Sequence, residues 1–239
     1  MKYVLAVLRA VRGHPVAATA FAVVALLLLG TTLAIPLVRN EETAHFAKAA
    51  ARSSELLVAA LGSPANLTGE PESALSELGE RAEEISRVHD EVVLTKVYFA
   101  KNAAQAALEY TDYTARIGIK LVQVARSEQR ARTSFENYSR SVEVLKASSL
   151  ATRAQAAEEA NSMTSEARAA TELAYQECVL LATLTRELPA VRSRSQKALP
   201  TLGQDPQPAI AALSPRLQAA LEAAHARRKI FNPGVHGPG

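Results

Sequence analysis

The chain has 239 residues and a mass of 25.5 kDa, with 48% hydrophobic residues, 5% aromatic residues and a formal net charge of +3. That composition suffices for one ordinary domain plus a membrane segment, and its 10 Gly and 11 Pro are too few for a disordered or fibrous chain. The small charge, with both signs interspersed, argues against a nucleic-acid surface.

Residues 1–15 form a short basic tail carrying Lys2, Arg9 and Arg12. No charge follows from Val16 to Val38, a run long enough for a helix across ~30 Å of hydrocarbon. This stretch, 16–38, is expected to be a transmembrane helix. A signal peptide has a shorter apolar core, yet Thr32-Leu33-Ala34 loosely fits a small-x-small cleavage site. Cleavage near Ala34 would release a secreted or periplasmic protein, but the apolar run continues through Ile35, Leu37 and Val38, which favours a retained signal-anchor. Lys and Arg nearly tie on the two sides of the run. The short N-terminal side and long following body favour a cytoplasmic N-terminus and a periplasmic body. The expected location is therefore the inner or plasma membrane, single-pass.

Residues 40–199 read as a helical bundle with a loop at 62–71. Asn40 is a candidate cap, and Phe46, Ala49, Ala50, Ser53, Leu56, Leu57 and Ala60 recur at helical spacing. Gly62, Pro64, Gly69 and Pro71 mark the loop, which contains the glycosylation triplet at Asn66; a second lies at Asn137. Both triplets are read as chance matches.

A heptad seam then runs through Leu75, Leu78, Ala82, Ile85, His89, Val92, Lys96, Phe99, Ala103, Ala106, Tyr110, Tyr113 and Ile117. It resumes one residue out of step as Leu121, Val124, Glu128, Ala131, Phe135, Tyr138, Val142 and Leu145. Taken literally this is one helix of ~70 residues, which base rates disfavour, so two or three bundle helices are expected. The candidate breaks are 110–118, 125–141 and 147–152. Residues 152–188 are helical again.

Residues 200–213 (from PTLGQDPQP) read as a linker. Ser214 and Pro215 fit the start of an amphipathic helix at 214–230, with Arg227, Arg228 and Lys229 in its last turn. That trio suits a helix C-terminus, and could also meet an acidic surface. Residues 231–239 are expected to be a flexible tail. No segment shows sustained strand alternation. The expected class is all-α: an N-terminal transmembrane helix followed by a long-helix bundle or coiled-coil-like domain.

Few residues suggest chemistry. Glu42-x-x-His45 and Glu222-x-x-His225 share the spacing that di-iron bundles use twice. Glu109, Glu143 and Glu177 are possible completing ligands. Glutamates are common here and the seam shows few inward ones, so the expectation is no metal and no cofactor. Cys178 reads as a small buried hydrophobe. Arg126, Arg130 and Arg132 with Glu128 and Glu136 read as a solvated mixed-charge face. His89 and Lys96 are polar seam positions, and Tyr110 and Tyr113 belong to an aromatic cluster with Tyr98 and Phe99. With Arg227, Arg228 and Lys229 these are candidate interaction residues.

No glycine-rich phosphate loop, nucleophile elbow, CxxC or HExxH is present, so an enzyme is not expected. The expected function is assembly through protein–protein contacts at the cell envelope, with the membrane, further copies of the chain or other envelope proteins as partners, and no nucleic acid. The alternative is a ligand-sensing or ligand-binding bundle. In layout alone, a membrane helix running into a helical body resembles the input half of bacterial chemoreceptors and sensor kinases. That resemblance implies a partner subunit to pass on a signal, since this chain shows no second span and no signalling module.

Overall fold

The computed structural model describes residues 15–63 and 72–232, with backbone alone at 15–22, 25, 27–29, 33 and 72. Among the described residues five helices follow in order: α1 (Pro15–Leu61), α2 (Glu72–Leu94), α3 (Lys101–Ala147), α4 (Arg153–Ser195) and α5 (Gln207–Phe231). All secondary structure among the described residues is helical. The basic tail, the Asn66 triplet and the residues beyond 232 lie outside the described residues.

α1 does not pause at Asn40. It is one 47-residue helix with Pro36 inside it, roughly 70 Å long at ~1.5 Å per residue. Its last third joins the bundle, from Phe46 onward. Every described side chain from Val23 to Glu41 is exposed. Among the described residues no helix is long and apolar enough to cross a membrane. The uncharged stretch expected to do so, 16–38, is described for only part of its side chains.

α2 runs back along α1, with Arg52 paired to Glu84 at 2.9 Å and Arg81 bonded to the Ala59 carbonyl at 2.7 Å. α3 runs alongside α1, joined by Ser53 Oγ to Thr114 Oγ1 at 2.5 Å and by the Tyr110 hydroxyl to Ser54 Oγ at 3.0 Å. α4 returns antiparallel to α3, as Lys120–Glu177 at 2.5 Å and Ser195 Oγ to the Ala106 carbonyl at 3.2 Å mark out. α5 lies along α4 (Arg228–Glu172, 2.8 Å).

The heptad seam faces the interior of this one chain. Of its positions only Lys96 and Phe99 are exposed, and they fall in the turn between α2 and α3. The seam is therefore used for packing within the chain. The chain breaks at 95–100, a stretch without glycine or proline, and again at 148–152 as expected. The other two expected breaks are helix interior. Gly118 lies on the face of α3 that meets α2, where an added Cβ would lie 3.1 Å from Ile85 Cδ1 and 3.5 Å from Ala82 Cα. It lets two helices approach. Within 125–141, Ser127, Glu128 and Ser134 are buried. Ser127 bonds the Val124 carbonyl and Ser134 bonds Glu166 of α4.

The C-terminal elements also shift. α5 begins at Gln207, not Ser214, because Pro206 and Pro208 suit the first turn and Asp205 Oδ1 accepts from the Gln207 N–H at 3.2 Å. Pro215 is interior. The expected linker thus contracts to an elbow at 196–206, with Leu199 and Leu202 buried. Phe231, the first residue of the expected tail, belongs to α5 instead, and its ring packs edge-on against Phe135 and Tyr138 at 6.0 and 5.1 Å between centroids.

Candidate functional site

Three polar constructions stand out against the alanine-rich core. The first caps α3. Its N-cap residue, Ala100, offers no side-chain acceptor, and the last N–H groups before the helix would otherwise lack partners. Glu42 of α1 supplies them: its carboxylate accepts from the N–H groups of Tyr98 (3.0 Å), Phe99 (2.9 Å) and Ala100 (2.8 Å). The Phe99 bond does most to hold the carboxyl below its ordinary pKa, opposed by desolvation and helped by Ala100 and Tyr98.

The second construction is a hub at Arg192 of α4. Its guanidinium donates to the Tyr110 hydroxyl (3.1 Å) and to the carbonyls of Gly203 (2.9 Å) and Gln204 (3.2 Å). Ser54 Oγ completes the ring by donating to the Gln204 carbonyl at 2.6 Å. One arginine thereby ties the elbow to α1 and α3.

The third is a polar layer between α3, α4 and α5. Glu128, only 2% exposed, is paired with Arg227. It is not on a solvated face. Burial pushes the Glu128 carboxyl above its ordinary range, while Arg227 and then Arg132 pull it down. Arg228 pairs with Glu172 and stacks over the Tyr175 ring at 4.2 Å. Tyr175 in turn faces His225, with ring centroids 6.4 Å apart. Glu128 Oε1, Thr171 Oγ1, His225 Nδ1 and Arg227 Nε are buried here with no hydrogen-bond partner among the described residues. Leaving such an atom without any partner costs ~1–3 kcal/mol. Tyr175 and His225 also line an open groove of about 510 Å³ between α4 and α5, together with Val179, Arg186, Leu221 and Glu222. Its mixture of apolar wall, cation and imidazole suits a small amphipathic molecule.

The candidate residues read from the sequence divide accordingly. Arg227 and Arg228 belong to the polar layer, while Lys229 is exposed. Tyr110 is fully buried in the Arg192 ring. Tyr113 donates to Glu187 at 2.6 Å, and its pKa is pushed up to about 12 by burial and then by that bond. His89 Nδ1 lies 3.1 Å from Thr111 Oγ1, a link between α2 and α3. Lys96 sits exposed in the turn.

The two Glu-x-x-His pairs are not brought together. Glu42 serves the α3 cap, Glu222 accepts from Gln218, and His45 is exposed. Glu109 pairs with Arg194 and Glu177 with Lys120. Among the described residues no three His, Cys, Asp or Glu side chains converge as metal ligands. Cys178 is buried and its pKa is pushed up to about 12, chiefly by burial, so it is no thiolate at neutral pH.

Sequence reasoning missed Arg192, named Glu42 only as a metal-ligand candidate, and put Glu128 on a solvated face. Only Glu128 left a signal, as a charged residue on an apolar seam. Comparison with protein families, characterised proteins and solved structures gave no match.

Proposed function

We propose that this protein is a membrane-tethered helical assembly protein of the cell envelope. Residues 16–38 hold it in the bilayer, and the bundle stands on the extracytoplasmic side and works by contact with further copies or other envelope proteins. The observation that carries the tether is the exposure of Val23, Leu26, Ile35 and Leu37 on a helix that continues unbroken into the bundle. Apolar side chains at 52%, 69%, 44% and 64% exposure need a non-aqueous cover, and an uncharged run this long supplies it in lipid. α1 as a single rod leaves little freedom between bilayer and bundle.

The test is fractionation. The protein is expected to stay in the membrane pellet after alkaline carbonate washing and to crosslink in cells into defined complexes. Leu27→Arg with Leu28→Arg should move it to the wash, because each charge at a span centre costs ~2.5–3.5 kcal/mol. Wild-type protein found in the wash, or an uncrosslinked monomer in the membrane, would refute the tether or the assembly role respectively.

A second reading, a ligand-binding bundle, is favoured by the groove between α4 and α5 that Tyr175, Arg186 and His225 line. Small amphipathic acids are expected to raise the Tm of the wild type and not of His225→Leu. A library of such acids that shifts neither protein counts against this reading.

A further inference from the structure

We propose that the turn between α2 and α3 is a second membrane contact, a foot that rests in the headgroup layer of an anionic bilayer. This rests on the tether proposed above.

The end of α2 and the turn together present Val93, Leu94, Tyr98 and Phe99, with Leu94 81% and Tyr98 64% exposed. Such an apolar cluster is out of place in water. Aromatic rings with a polar tip suit the membrane–water interface. Four exposed cations surround it: Arg39 on α1, Lys96 in the turn, Lys101 at the start of α3, and Lys197 in the elbow. Arg39, Phe99, Lys101 and Lys197 line one shallow cavity, which shows that these segments adjoin. None of the four cations has an ion-pair partner among the described residues. Asp90 and Glu91 are exposed one turn back on α2, and Glu41 on α1, so the basic residues lead at the tip itself.

Height above the bilayer decides the matter. Glu42 clasps the turn through three backbone bonds and lies four residues beyond Val38, about 6 Å along the helix at ~1.5 Å per residue. The polar layer on each side of the hydrocarbon is about 5–8 Å thick. A turn fixed at that height reaches the headgroups, where lysines and an arginine meet lipid phosphates. The Glu42 cap thereby acquires a purpose, since it holds the foot at the level of the lipid surface. Zwitterionic lipid would satisfy the rings, and anionic lipid the rings and the cations.

The chain contains no tryptophan, so a single introduced one reports alone. Phe99→Trp and Tyr98→Trp are reconstituted as full-length protein into vesicles of phosphatidylcholine, with and without phosphatidylglycerol. Leu150→Trp, in the turn beyond the far end of α3, is the reference; Leu150 is 91% exposed. The foot variants are expected to emit to the blue of the reference and to be quenched by brominated acyl chains, more so with phosphatidylglycerol. Charge reversal at Lys96, Lys101 and Lys197 should abolish the phosphatidylglycerol increment. Protein that floats with the vesicles while both foot variants match the reference overturns the foot and leaves the tether standing. Protein that does not float overturns both.

Discussion

Gly203→Val is expected to destabilise the bundle by about 3 kcal/mol or more, lowering Tm by roughly 6–12 °C for a body of this size. Gly203 has φ +66, a backbone region that a β-branched residue strongly avoids. The space is closed as well: a Cβ would stand 2.8 Å from both the Cα and the carbonyl oxygen of Ala51, which are backbone atoms of α1. Neither can move without displacing the helix. The elbow must lift instead, and its lifting costs Arg192 the carbonyls of Gly203 and Gln204. Leu202 then loses its buried site. Gly203→Asn separates the two causes. Asn tolerates the left-handed conformation but still carries a Cβ, so most of the loss should remain. Thermal unfolding followed by far-UV circular dichroism measures both. A valine variant with the wild-type Tm would show that the elbow is not strapped to α1.

Arg192 also gives the elbow a mechanical role. The covalent link from α4 to α5 is the elbow at 196–206, which Arg192 and Ser54 pin to α1, α3 and α4. The start of α5 is therefore held at the end of the bundle where α1 leaves for the proposed bilayer, while Arg227, Arg228 and Phe231 hold its other end to α3 and α4. This connects the two ends of the body through rigid elements.

Much of the helical order was legible because burial at steps of three and four is a local property. The seam residues from Leu75 to Leu145 turn inward almost throughout, and the turn at 148–152 carries Ser148, Ser149 and Thr152, which compete locally for backbone bonds. What escaped was long-range. The break at 95–100 has no local punctuation, since its cap comes from Glu42, far away in sequence. Gly118 falls at the end of the candidate break 110–118, yet it serves close approach to Ala82 and Ile85. The Arg192 ring joins four segments, and nothing in RELPAVRSRS distinguishes Arg192 from Arg194, which pairs with exposed Glu109. Arg227 and Arg228 read as helix-end charges because their partners, Glu128 and Glu172, lie on other helices.

Arg227→Leu should be as damaging as the glycine change, at about 3–5 kcal/mol near neutral pH, because it leaves the Glu128 carboxylate buried and unpaired. The loss should depend on pH in a definite direction. Burial already raises the folded pKa of Glu128 above its unfolded value, so the folded state holds the proton more tightly than the unfolded chain. The stability contributed by that protonation is present in full below the unfolded value and is lost as pH rises through the folded one. Removing Arg227 takes away the main charge that pulls the folded pKa down, which carries it higher still. The Tm gap between Arg227→Leu and wild type is therefore expected to be small near pH 5, where the orphaned carboxyl can take a proton, and to widen towards pH 8. The double variant Glu128→Leu with Arg227→Leu should recover most of the loss and show no such widening, since it leaves neither charge behind. A single variant whose Tm gap is flat between pH 5 and pH 8 would mean that Glu128 reaches water when its partner is removed. If the double variant is stable, loss of the groove ligand response in it would assign the pair to binding. Retention of the response would assign the pair to holding α5 in place.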